Sequence, residues 1–211
     1  MCSSLFAFAA FAAPTVLTFD DLPYPYILTG SAYAGLTWEF GNNAADAGVA
    51  GRWVTSDPTA NGHAHSPPIN VVNGGGSTLA GITFPTPVDM GGGYIAVQGN
   101  GSYNWATSAR IHGYFGGQEV GTTDWFTTIT TTPAWFDMSA LTNVDRIVFE
   151  AVSSTPGVAF YGLDDLTFTY VPEPAGLAAL GFAAAALLAR RRTGGSHRAD
   201  RKAIARTAKR P

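Results

Sequence analysis

Between residues 15 and 170 the apolar side chains recur at every second position in short runs, and Gly or Pro interrupts these runs again and again. A period of two places alternate side chains on opposite faces of an extended chain, so such runs build half-buried strands and not helices. Leu36, Trp38 and Phe40 share one face against Thr37 and Glu39. Ile147, Phe149 and Ala151 oppose Arg146, Val148 and Glu150, and Leu166, Phe168 and Tyr170 oppose Thr167 and Thr169. The pattern predicts strands at 15–19, 35–40, 51–56, 69–72, 78–84, 93–98, 108–115, 119–131, 134–137, 145–152, 158–161 and 166–170. No stretch before residue 175 keeps a helical apolar period. The expected fold is therefore all-β, a two-sheet antiparallel β-sandwich of the jelly-roll type, over residues 14–170.

The end of the 211-residue chain has a different character. Val171-Pro172-Glu173-Pro174 leads into a small, apolar run at 175–189, which stops at Arg190, Arg191 and Arg192. As a helix this run spans roughly 22 Å, short of the roughly 30 Å hydrocarbon core of a bilayer, so it predicts a thin, transient transmembrane anchor. Arginines retained on the cytoplasmic side orient the segment with everything before Pro172 facing outward. Residues 171–192 resemble the sorting tail of the PEP-CTERM family of exported bacterial proteins. The resemblance implies that an exosortase recognises the Pro172-Glu173-Pro174 element and cuts near it; an uncut tail anchor is the other reading. Residues 193–211 extend beyond the arginines as a basic segment, expected to be a disordered cytoplasmic tail or an error at the gene end.

At the opposite end, Leu5-Phe6-Ala7-Phe8-Ala9-Ala10-Phe11-Ala12 is a compact apolar run with small residues at Ala10 and Ala12 and with Pro14 beyond. This is the pattern a signal peptidase reads, so residues 1–13 are expected to be a signal peptide. No basic residue precedes the run, as expected if the true start lies further upstream. Cys2 is the single cysteine. Its removal with the signal would leave a domain with neither disulfides nor thiolate metal ligands, held by core packing alone.

Charge narrows the partners. Between Ala13 and Pro174 the basic residues are Arg52, Arg110 and Arg146, against acidic residues spread from Asp20 to Glu173. Such a surface excludes nucleic acid, whose phosphates require concentrated Lys and Arg. The basic positions Arg198, Arg201, Lys202, Arg206, Lys209 and Arg210 sit beside a membrane stop and suit a lipid-facing or solvated tail.

Two carboxylate pairs, Asp20-Asp21 and Asp164-Asp165, lie on the expected first and last strands. If those strands run side by side, the four carboxylates gather hard oxygen ligands for a structural calcium ion; the alternative is that each pair caps a turn. The same four residues are the clustered candidates for a glycosidase acid and base, but neighbours on a strand point to opposite faces, so each pair offers one member to a site. His63 and His65 can form half of a metal site, within a loop of Asn, Ser and Pro. The glycine runs at 74–76 and 91–93 lack the lysine and helix of a phosphate loop and read as turns. A G-x-S-x-G nucleophile elbow is absent.

Aromatic residues carry the functional expectation. Trp125-Phe126 and Trp135-Phe136 are adjacent pairs, so one ring of each must face away from the core. Exposed tryptophans among Thr, Asn and Asp suit stacking on sugar rings, and the segment holding Tyr103 and Trp105 has the same composition. The reading competes with burial, the usual fate of tryptophan in a small sandwich. The segments at 33–38 and 109–117, with the two Asp pairs, also look like ectodomains carried by PEP-CTERM proteins, which resemble carbohydrate-binding modules in fold. The expectation is a non-catalytic cell-surface or matrix protein that engages exopolysaccharide; the alternative is a secreted polysaccharide hydrolase using the same export route.

Overall fold

The computed structural model describes residues 12–39, 52–56, 63–98 and 104–172. Phe40, Tyr103, Glu173, Pro174, the apolar run 175–189, Arg190 to Arg192 and the signal segment lie outside the described residues, except for Ala12 and Ala13. Among the described residues no helix is long and apolar enough to cross a membrane. Residues Ala12–Val171 form one unit.

Among the described residues ten antiparallel strands account for nearly all of the regular structure. They are β1 (Thr15–Leu17), β2 (Thr37–Trp38), β3 (Trp53–Ser56), β4 (Asn70–Asn73), β5 (Leu79–Val97), β6 (Ala106–Phe115), β7 (Gln118–Thr122), β8 (Ala134–Asp137), β9 (Val144–Ser153) and β10 (Tyr161–Tyr170). The hydrogen-bonded order is β3-β4-β10-β5-β9-β6-β7, with β1 on β10 and both β2 and β8 on β5. The expected pairing of first and last strands is present: Thr15, Val16 and Leu17 stand opposite Phe168, Thr167 and Leu166.

Two separate sheets were expected, and the chain instead forms one continuous hydrogen-bonded network that β5 carries from one layer to the other. The first half of β5 pairs with β9 and β2, and its second half with β10 and β8. Pro85 and Pro87 lie at the join, where the register with β9 shifts between Thr83 and Val88. Proline has no N–H to give a ladder, so its place within a strand is such an irregularity. Two strands expected at 78–84 and 93–98 are thus a single bent one. The strand expected at 166–170 is the second half of β10, whereas of 158–161 only Tyr161 belongs to it.

The two layers meet over one core. Trp53 of β3 makes edge-to-face contacts with Trp38 of β2, Phe149 of β9 and Tyr161 of β10, at centroid distances of 5.7, 5.7 and 6.0 Å. Both buried indoles keep a hydrogen bond: Trp53 Nε1–H donates to the Gly81 carbonyl at 3.2 Å and Trp38 Nε1–H to the Tyr33 carbonyl at 3.2 Å. Alternation holds as the sequence implies. Leu36 and Trp38 are buried, as are Ile147, Phe149 and Ala151, while Arg146 and Glu150 face outward.

Candidate functional site

An open cleft of about 410 Å³ lies on the surface, lined by Thr122, Thr123, Asp124, Trp125, Phe126, Trp135, Phe136, Asp137, Ser139 and Ala140. It is built from the two Trp-Phe dipeptides. In each the phenylalanine turns inward and the tryptophan outward: Phe136 is buried and Phe126 packs on the core, whereas Trp125 is 40% and Trp135 43% exposed. The two phenyl rings stack on each other, 5.1 Å between centroids and 18° between planes. They form the floor.

Trp125 owes its exposure to an irregularity next to β7. The Thr123 N–H donates to the Ile111 carbonyl at 2.9 Å, and Phe126 exchanges two backbone hydrogen bonds with Ala109 at 2.7 and 2.9 Å. Three residues on this segment therefore span two on β6, and the surplus pushes Asp124-Trp125 out from the sheet, as a bulge does. This is why the strand expected at 119–131 ends at Thr122. Thr123 is itself fixed, its Oγ1 accepting the Ile111 N–H at 3.0 Å.

Behind Trp125 stands Arg110, its guanidinium carbon 4.7 Å from the ring centroid. Arg110 Nε donates to Glu150 Oε2 at 2.6 Å, and the same oxygen lies 2.8 Å from His112 Nε2. Burial opposes ionisation of Glu150, yet the hydrogen bonds from Arg110 and His112 hold its carboxyl below the usual range. The positive charge over Trp125 is thus balanced by Glu150, which is not part of the cleft lining.

Trp135 lies opposite Tyr94 in the pairing of β8 with β5. The rings meet edge to face at 5.4 Å. Tyr94 in turn stacks on His65, 3.3 Å between centroids at 7°, and His65 Nδ1 lies 2.6 Å from Asp165 Oδ2. Below Trp135 is Gly92, where a side chain would collide with the indole. Asp137 closes the wall: its Oδ1 accepts the Ser139 N–H at 2.9 Å, and hydrogen bonding from Ser139 holds its carboxyl below the ordinary value.

The other sequence candidates fall elsewhere. Trp105 is half-buried against the core, its Nε1–H enclosed with no hydrogen-bond partner among the described residues, and it is not part of the cleft lining. The aspartate pairs act as anchors. Asp164 is buried and its Oδ2 accepts the N–H groups of His65 and Ser66, both at 2.8 Å, while its Oδ1 accepts the Asp165 N–H at 2.9 Å. Asp165 takes the Ser66 hydroxyl at 2.8 Å, Asp20 the Ile69 N–H at 3.2 Å and Asp21 the Tyr33 hydroxyl at 2.7 Å. A calcium ion needs lone pairs that face it, and those of Asp164 face donors instead. Among the described residues no group of three or more acidic, histidine or cysteine side chains is placed to hold a metal ion.

Strand alternation was expected to separate Asp164 from Asp165, and it does not. Asp165 adopts a left-handed backbone, φ 47°, at a register shift in β10. Both carboxylates consequently reach the same 65–66 loop.

Comparison with solved structures finds similarity to carbohydrate-binding modules. With the N-terminal CBM22-1–CBM22-2 tandem domain from Paenibacillus barcinonensis Xyn10C the TM-score is 0.44 at 15% identity, over 81% of this chain and 50% of that one, so the chain spans half of that structure. With TmCBM61 in complex with β-1,4-galactotriose it is 0.36 at 13% identity, over 67% and 90%. Likeness at this level carries no weight for fold or ligand. No family model matches the sequence, and no curated protein matches it.

Proposed function

We propose that this is a non-catalytic protein of the cell surface or extracellular matrix whose β domain binds polysaccharide in the cleft between Trp125 and Trp135. The observation that carries the reading is the presentation of two half-exposed indoles in one cleft, over a stacked phenylalanine floor, with Thr122, Asp124, Asp137 and Ser139 beside them. Flat apolar rings cover the C–H faces of sugars, and the hydroxyls and carboxylates at their margins meet sugar hydroxyls.

The carboxylates among the described residues are poorly suited to glycoside hydrolysis, which needs one carboxyl held protonated beside the scissile bond. The carboxyl that burial raises, Asp164 at about 6, is enclosed beneath the 65–66 loop. Asp137, in the cleft, is held low.

In this reading the ends of the chain supply the address. Signal peptidase removes residues 1–13, the run 175–189 holds the protein transiently in the inner membrane with Arg190 to Arg192 inside, and an exosortase-type enzyme acts at Pro172-Glu173-Pro174. The support is the sequence pattern alone. Affinity electrophoresis through gels containing a panel of polysaccharides tests the binding: retardation in at least one is the expected result. Release of reducing ends from the same panel would point to a hydrolase, and unretarded migration throughout would overturn the proposal.

A further inference from the structure

We infer that the cleft discriminates by ligand charge, favouring amino-bearing and neutral glycans over those that carry carboxylates. This rests on the glycan-binding reading and narrows it to a substrate class. Two of the lining residues, Asp124 and Asp137, are carboxylic acids, and among the described residues no Lys, Arg or His lines the cleft. Asp137 is kept ionised by its turn with Ser139. A third carboxylate adjoins the rim, since Glu119 Oε1 accepts the hydroxyl of the lining residue Thr122 at 2.6 Å.

The nearest cation does not offset them. Arg110 stacks on Trp125 and is bound to Glu150 at 2.6 Å, so its charge is balanced before a ligand arrives. His112 is likewise shared between Glu150 and Glu119, at 2.8 and 3.1 Å. A uronate stacked on either tryptophan would bring its carboxylate toward Asp124 or Asp137 with no counter-charge in the lining, and like-charge juxtaposition is what separates partners of equal shape. An ammonium at the same ring position would meet those carboxylates as partners.

The test uses three hexasaccharides of one linkage, β-1,4-linked glucose, glucosamine and glucuronate, titrated into the full chain by calorimetry at low ionic strength. The expected order is glucosamine, then glucose, then glucuronate, with glucuronate about tenfold or more weaker than glucose. The variant Asp124→Asn/Asp137→Asn should bring the three affinities together, read as the ratios of glucosamine and of glucuronate to glucose within that variant. Asparagine at 137 can still accept the Ser139 N–H, so the turn is preserved. Glucuronate binding as well as glucose, or an order that the double variant leaves intact, would overturn the charge inference while leaving glycan binding standing. Failure of all three to bind would overturn the charge inference, and would overturn glycan binding as well only if the polysaccharide panel also left the chain unretarded.

Discussion

The indole of Trp135 rests on Gly92, where an added Cβ would stand 2.4 Å from the ring carbon Cζ2 and 2.5 Å from the Phe136 carbonyl oxygen. The absence of a side chain at one residue of β5 thus sets the height of a ring on β8. Gly92→Ala must displace the ring or the strand, an overpacking cost of about 1–3 kcal/mol. The variant should melt at a lower temperature and lose glycan affinity together, and calorimetric scanning beside a binding titration would show it. An unchanged affinity would mean that the position of Trp135 is unimportant.

Arg110 acts on the other wall. Arg110→Ala removes the cation stacked on Trp125 and leaves Glu150 with His112. The lost cation–π contact at a half-exposed site is worth about 0.5–1 kcal/mol, or about two- to fivefold in affinity. Thermal stability should fall by less than about 1 kcal/mol, since the Arg110–Glu150 pair is partly exposed. Lysine at 110 should restore part of the affinity. An Arg110→Ala variant with full affinity would show that Trp125 is held by its backbone alone.

The fold was legible where the alternation was strict. Leu36 and Trp38, or Ile147, Phe149 and Ala151, sit on the core face as their spacing dictates. What could not be read was β5 running through Pro85 and Pro87, because prolines that normally end strands are tolerated at a register shift that only the tertiary pairing reveals. The site was half legible. Adjacency of Trp and Phe forces one ring outward, which located Trp125 and Trp135; their meeting in one cleft depends on the bulge at 124–125 and on the Phe126–Phe136 stack between layers. Trp105, whose Asn/Ser/Gly neighbours read as those of a binding loop, is partly buried against the core and stands outside the cleft lining. The placement of Asp124 and Asp137 in the cleft carried no local signal, for an aspartate in a loop reads as a solvated turn.

For Trp105 the expectation follows from its enclosed, unpartnered N–H. Removing an unsatisfied donor while keeping an aromatic ring can be neutral or stabilising. Trp105→Phe should therefore leave the melting temperature unchanged or raised, with glycan affinity intact. A tenfold drop in affinity would place Trp105 in the site.

Asp164 makes stability depend on pH. Burial raises its carboxyl to about 6, with the hydrogen bonds from Ser66, Asp165 and His65 opposing and the nearby Asp165 charge reinforcing the rise. A carboxyl whose folded value lies above its unfolded one, about 3.9, contributes stability that is complete below the unfolded value and is lost as pH rises through the folded value. Between about pH 4 and 6 this group's contribution should fall as pH rises. Chemical denaturation across that window should show a shallower pH dependence in Asp164→Asn than in the parent chain. Identical profiles would mean that Asp164 titrates normally.

The central claim is that the two half-exposed tryptophans form the glycan-binding surface. The most direct measurement is calorimetric titration, with a polysaccharide that retards the parent chain, of Trp125→Ala, Trp135→Ala and Trp105→Phe, each checked for the parent's far-ultraviolet circular dichroism. The account predicts that the first two lose at least about tenfold in affinity, the scale of one aromatic hot spot, with their spectra unchanged, and that the third binds as the parent does. Full affinity in Trp125→Ala and Trp135→Ala would contradict it.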